Sequence, residues 1–468
     1  MENLDENFFD NNLSELCGKF EKMVEDGTSL YYEVDDLEEL LEHYMIHHRL
    51  ELAFKVLEIA KEQYPYNKQL SIKEAELLSL MEKHSEALEI LTEIEDLEGF
   101  NPDFHIVKAS VLSQCGQYDG AVESLNRALE CSNDEHDVIY MNLAIEYQNM
   151  ENYGKAIEFL KKSLDINIEN EDAIYELAYC FELSKNYTDA VSTFNKIIDQ
   201  APYNPHAWFN LGASHQAMGD FDKALIAFDY AIIIDESFHA AYFNKANSLV
   251  RLERYEEAIE LYKKALSFEI LDSLIYFYIG DCYDNLEDHK NALVYFEKAI
   301  KKDETLAEAW IGASSSLDML GRELEALEYA KKAIALENDN GDYWCFLAGL
   351  QQKYDLPNDA INSFEKSIEN GYLLEDLWED FAQLALTLND NDLADSVIER
   401  GLDMHSENKL LQVYRSILLY RNNDEDQAFE TLVQVLVQDP SMMEEFILFY
   451  PKGIEKDEIQ FLIESMKS

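Results

Sequence analysis

The stretch that decides the fold is WFNLGASHQAMGDFDKALIAFDYAI, Trp208 to Ile232. Trp208, Leu211, Gly212 and His215 stand at i, i+3, i+4 and i+7, one face of a helix. A break follows at Met218 to Asp220, and Ala224, Phe228 and Ala231 then mark the inner face of a second helix. The segment reads as a helical hairpin. It holds no nucleophile paired with a base, no glycine-rich phosphate loop and no metal-ligand spacing.

Working outward from Ala224 in steps of 34 residues lands on alanine repeatedly: Ala53, Ala87, Ala121, Ala156, Ala190, Ala224, Ala258, Ala292, Ala326, Ala360, Ala394 and Ala428. One extra residue precedes Ala156. A fixed period of this length over twelve units is a repeat architecture, in which each unit packs on its neighbours and covers their apolar faces.

The unit resembles the tetratricopeptide repeat. In YFYIGDCYDNLEDHKNALVYFEKAI, Tyr276, Ile279, Gly280, Tyr283, Ala292, Phe296 and Ala299 fill every place of the W-x2-L-G-x2-Y, A-x3-F pattern. Small residues, Ala144, Ala178, Gly212, Ala246 and Gly280, recur where two helices must approach. Pro65, Pro202 and Pro440 fall where a second helix must stop. Outer units depart from the pattern: Leu41 replaces the small residue, and Ile398 and Gly401 replace the aromatic and the alanine near Ala394. The resemblance implies an all-α, right-handed superhelical solenoid of about twelve 34-residue helix-turn-helix repeats over residues 34–442. An acidic segment and capping helix at 1–33 and a capping segment at 443–468 flank it. Leu13, Leu16, Phe20 and Val24 share one face, as an N-terminal cap needs, and Lys456 to Met466 is expected to cap the other end. The composition, rich in Ile, Lys, Glu and Asn, is similar to that of bacterial tetratricopeptide proteins.

Against 37 basic residues stand 95 acidic ones, a formal net charge of -58. Such a chain repels nucleic-acid backbones and anionic membrane surfaces, so neither is an expected partner. No apolar run reaches the roughly 18 residues of a membrane span, and the acidic N-terminus lacks the basic and apolar regions of a secretory signal. A cytoplasmic protein is expected. Cys17, Cys115, Cys131, Cys180, Cys282 and Cys345 form no C-x-x-C pair and read as buried, reduced thiols.

The resemblance also implies that the first helices line a concave groove that receives a protein segment. If each unit begins nineteen residues before its alanine, its second, fifth, ninth and twelfth residues project towards that groove. The fifth residues include four consecutive aromatics, Tyr175, Phe209, Phe243 and Phe277. These read either as anchors for apolar ligand side chains or as packing between units. Of the 48 groove positions none is Lys or Arg and fourteen are acidic, among them Glu182, Asp281, Asp284 and Asp318. Lysines stand instead late in the second helices, as at Lys162, Lys264, Lys298 and Lys332. A basic, amphipathic protein or peptide is the partner this lining predicts. Asn247, with Asn210 and Asn244, gives part of the amide pattern with which some tetratricopeptide arrays clamp a carboxylate, but Phe209, Phe243 and Phe277 occupy the lysine places.

His43 and His47 stand four apart on a helix without a third ligand, and Glu337 to Tyr343 begins like a calcium loop but lacks the closing glutamate. No phosphate-loop, nucleotide-binding or hydrolase motif occurs. No metal, cofactor or catalysis is expected. The reading is a scaffold or adaptor binding a basic segment; the alternative is a self-assembly module pairing through terminal or convex surfaces, giving a homo-oligomer.

Overall fold

The computed structural model describes residues 2–132, 134, 136–266 and 272–466, with side chains described between residues 13 and 464. The acidic opening stretch, residues 1–12, and the last residues of the C-terminal segment lie outside the described side chains. The described residues are helical throughout, without strands.

The chain divides into two units, Met1–Ala241 and Tyr242–Ser468. The first opens with the helix Glu2–Asp26 and continues with six hairpins, from Val34–Ile46 paired with Leu50–Gln63 to Pro205–Ala217 paired with Phe221–Ile234. The second also carries six, the first formed by His239–Arg251, which begins before the boundary, with Tyr255–Ala265, and the last by Lys409–Arg421 with Glu425–Gln438. The helices Met442–Phe449 and Asp457–Met466 follow, separated by a 3-10 turn at Pro451–Glu455. All-α architecture built of repeated hairpins is therefore what the sequence periodicity encodes.

One backbone device makes every hairpin. The fifteenth residue of all twelve has positive φ: His48, Glu82, Glu151, Lys185, Glu253, Glu287, Asp355, Asn389 and Asn423, with glycine at Gly116, Gly219 and Gly321. The next N–H reaches back to the carbonyl five residues earlier, as from Asn152 to Tyr147 at 2.8 Å and from Leu356 to Gln351 at 2.8 Å. This six-to-one bond closes the first helix and satisfies an otherwise orphaned carbonyl while turning the chain back. Several first helices begin at a capping asparagine: Asn170, Asn204 and Asn408 accept from Ala173, Ala207 and Leu411 N–H at 3.0, 2.9 and 2.9 Å. Second helices end before Pro65, Pro202 and Pro440.

The twelve phased alanines are all fully buried. They lie at the hairpin seam, where a methyl group is what the spacing admits. The small residues opposite them act likewise. A Cβ on Gly212 would sit 2.7 Å from the Phe228 ring, and Phe296 is held between Gly280 and Gly312, whose added Cβ atoms would come within 2.8 and 2.6 Å of it. Phe181, Phe194, Phe228, Phe296, Phe364 and Phe381 fill the space so created. Each contributes about 1.5–3 kcal/mol through burial.

At the N-terminal end Phe20 is buried among Leu37, Leu40 and Tyr44, with Leu13, Leu16 and Val24 packed on the same cluster. At the other end Ile459 is buried and Ile463 half-buried against the last hairpins. The cysteines differ from expectation. Cys17, Cys180 and Cys282 are buried, but Cys115 is exposed and Cys131 and Cys345 half-buried, because Cys115 caps the end of a first helix instead of facing the seam.

Candidate functional site

The groove positions do not behave uniformly. Ile72, Val413 and Ile417 stand at fifth and ninth places, yet all three belong to the core. In these outer hairpins neighbouring helices cover positions that are open elsewhere.

In the first unit, Tyr175 and Tyr179 are 70% and 50% exposed on the helix Glu171–Ser184. They face Phe209, Asn210 and Ala213 of Pro205–Ala217, and Phe238 and Ala240 close the far side. The cavity between them measures about 480 Å³. Phe209 is half-buried, its ring 5.7 Å from Phe228 and 5.0 Å from Phe238, so it forms a packed wall with one open face. Glu182 is exposed at the rim and accepts the Tyr187 hydroxyl at 3.1 Å. His206 completes the lining, 3.8 Å from Glu171. Aromatic walls and a carboxylate rim suit a ligand that is apolar at one end and cationic at the other.

In the second unit, Phe243 packs on Tyr262 and Tyr278 at 5.7 and 5.6 Å, and Phe277 on Phe296 at 5.8 Å. Both are half-buried. The Asn247 side-chain oxygen accepts the Tyr262 hydroxyl, so part of the amide is spent inside the hairpin. Burial, reinforced by Asp284, raises the Asp281 carboxyl above the usual carboxylate range. Asp284 lies 2.8 Å from His289 Nδ1 and accepts from Ser316 at 3.3 Å. Asp318, whose side chain is 15% exposed, binds Lys353 at 2.7 and 2.8 Å and accepts the Tyr354 hydroxyl.

The expected absence of positive charge holds for the 48 positions but not for their surroundings. Lys353 neutralises Asp318, and Lys73 bridges Glu42 and Glu76 at 3.1 and 3.2 Å. Both lysines stand one residue beyond the groove positions and reach them on four-carbon stems. Other carboxylates crowd each other: burial and Asp376 raise Asp342, and burial with Asp376 and Glu379 raises Asp380. The lysines late in the second helices fold over aromatic rings of the first: Lys162 Nζ is 5.9 Å from the Tyr140 centroid, Lys298 5.7 Å from Tyr276 and Lys332 4.9 Å from Trp310.

The groove pattern misses one residue altogether. Glu146, at the tenth place of its unit, is 6% exposed and its Oε2 has no hydrogen-bond partner among the described residues. It lines a second cavity of the first unit, about 440 Å³, formed by the helices Gln69–Leu80, Pro102–Gln114 and His136–Asn149. The signal was available: elsewhere the tenth place holds Leu77, Val111, Cys180, Ser214, Ser248, Cys282, Ser316, Leu350, Leu384 or Leu418, with His43 in the first hairpin. A carboxylate among apolar and small residues was the anomaly to notice.

Family models described as tetratricopeptide repeat match residues 102–134, 149–214, 205–238, 239–269 and 274–305. No curated protein matches the sequence. Among solved structures the chain is similar to the APC/C hetero-tetramer Cut9-Hcn1, at 14% identity over 84% of this chain and 96% of that one, with a TM-score of 0.39. It is similar also to YrrB, described as a TPR protein with an unusual peptide-binding site, at 22% identity over 42% and 97% with a TM-score of 0.35. Pseudomonas aeruginosa pilF gives 18% identity over 45% and 96% with a TM-score of 0.39.

Proposed function

Because the chain is a tetratricopeptide-repeat protein, we propose that it acts as a non-enzymatic scaffold or adaptor that holds a basic, amphipathic segment of another protein against its first helices. The observation that carries this reading is the cavity of the first unit, where exposed Tyr175 and Tyr179 face Phe209 and Phe238 beneath the Glu182 carboxylate. Exposed aromatic side chains beside a preformed recess are costly to leave in water and are typical anchors of protein interfaces. The formal charge of -58 adds long-range attraction for a basic ligand and repulsion for nucleic acid and anionic lipid. Among the described residues no helix is long and apolar enough to cross a membrane. In the second unit Phe243, Phe277, Asn247, Asp281 and Asp284 form the corresponding face, with Asp318 contributing less because Lys353 already engages it.

Affinity capture with the full chain from its native cell, at low and high salt, tests the proposal. A basic protein retained at low salt, released at high salt and bound at least tenfold more weakly by Tyr175→Ala is the expected result. Tyr175 is 70% exposed, so its truncation leaves the fold intact. Retention indifferent to both salt and Tyr175→Ala would sink the reading. Exposed Val437, Leu448 and Phe461 in the last helices support the second reading, self-pairing through a terminal surface. A concentration series in light scattering decides it, since a strict monomer rules pairing out.

A further inference from the structure

Glu146 is an expensive residue in the isolated protein. An ionised carboxylate with one oxygen unpaired and 6% exposure loses hydration that the fold restores only in part. Burial raises its carboxyl above the ordinary range, and the Ser113 and Asn149 side chains offset this only in part. No other hairpin has a carboxylate at this tenth place. The seam does not require one.

The surroundings define what would satisfy it. Among the described residues the cavity lining contains no Lys or Arg, and the other carboxylate in it, Glu76, is held by Lys73 at 3.2 Å. Ser113 and Asn142 supply neutral oxygen acceptors, while Ile106 and Ile145 supply apolar walls. An acceptor at the base, further acceptors around it and aliphatic sides match a charged head on a hydrocarbon stem. Oε2 is fully buried and unpartnered among the described residues, and a single buried acceptor suits the point charge of an ammonium better than the two-pronged guanidinium of arginine.

We propose that this cavity is a lysine-binding pocket: a lysine side chain of the bound segment inserts its ammonium against Glu146 Oε2, donates its remaining protons to Ser113 and Asn142, and lays its methylenes on Ile106 and Ile145. This rests on the reading of the first-helix face as a receptor for basic protein segments and names the residue type that one part of it selects.

The test uses the full chain with Nα-acetyl-lysine N-methylamide as the probe, followed by amide shifts of Ser110, Ser113 and Asn142 in transverse-relaxation-optimised NMR. Saturable shifts with the lysine probe, at least tenfold weaker with the norleucine analogue and with Glu146→Gln, are expected. Glutamine keeps the shape of the side chain, and unchanged shifts elsewhere establish that the variant is folded. The proposal is overturned if the lysine probe leaves these amides unmoved, if norleucine or Glu146→Gln binds equally well, or if the arginine analogue binds more tightly. A probe that binds while cells yield no basic partner would refute the scaffold reading and leave the pocket. A basic partner indifferent to Glu146 would do the reverse.

Discussion

At the scale of single residues, Glu146 and Tyr175 show two ways in which a stable fold keeps unfavourable groups. Tyr175 leaves an aromatic ring in water, and Glu146 leaves a carboxylate out of it. For Glu146 the consequence can be stated as a pH dependence. Its carboxyl titrates above the ordinary value of 4.5 in the folded protein, so the folded state binds the proton more tightly than the unfolded one. The penalty is therefore fully present above the folded-state value and disappears as pH falls through that value towards 4.5. Glu146→Gln is expected to stabilise the protein by about 1 kcal/mol at neutral pH, the order of a buried unsatisfied polar group. That advantage should shrink on acidification and reach its minimum below about pH 4.5. Urea unfolding of both proteins across pH measures it, and an advantage independent of pH would mean that the carboxyl titrates at its ordinary value in the folded protein. A stabilising substitution that abolishes binding is the usual signature of a functional residue kept at a cost.

At the scale of the helical hairpin, the left-handed fifteenth residue and the small residue on the first helix set the geometry together, and both positions favour the smallest side chain. Glu287 has φ of 58°, where a side chain costs roughly 1–2 kcal/mol and glycine costs little. Glu287→Gly should therefore stabilise its hairpin by about 1 kcal/mol. Seven residues earlier, Gly280→Ala places a methyl 2.8 Å from the Phe296 ring and should destabilise it by about 1–3 kcal/mol. The loss is expected although alanine is the better helix former by about 1 kcal/mol. Chemical unfolding midpoints of the two variants decide the matter, and the same sign for both would overturn this account of the hairpin. The first helix of each hairpin shows the limit of periodic reasoning. Its spacing correctly places Tyr175 outside and the alanines inside, but Ile72 and Val413 share the repeat position of Tyr175 and are buried, because what covers a position belongs to the neighbouring hairpin.

At the scale of the whole molecule, a net charge of -58 dominates. Screening lengths fall from about 30 Å at 0.01 M salt to about 3 Å at 1 M, so repulsion between carboxylates separated by more than a hairpin is removed over that range. The melting temperature should rise with added sodium chloride while affinity for a basic partner falls, because one interaction is repulsive and the other attractive. Calorimetry and binding measured across one salt series test both, and a melting temperature that falls with salt would show that local pairs such as Lys353 with Asp318 outweigh the net charge.

The sequence by itself determined the architecture, since a 34-residue period with alanine always at the seam leaves one way to pair the helices and bury the apolar faces. It also supplied the sign of the charge and the aromatic identity of Tyr175, Phe209, Phe243 and Phe277. Tertiary structure alone decided which of these groups are available. Phe243 and Phe277 lean on rings from other helices, Asp318 is neutralised by a lysine 35 residues away, and Glu146 is sealed in with an unpartnered oxygen. Periodicity assigns a residue to a face of its own helix, but exposure and charge compensation depend on side chains that reach across from the next hairpin, a distance in space that no local pattern records.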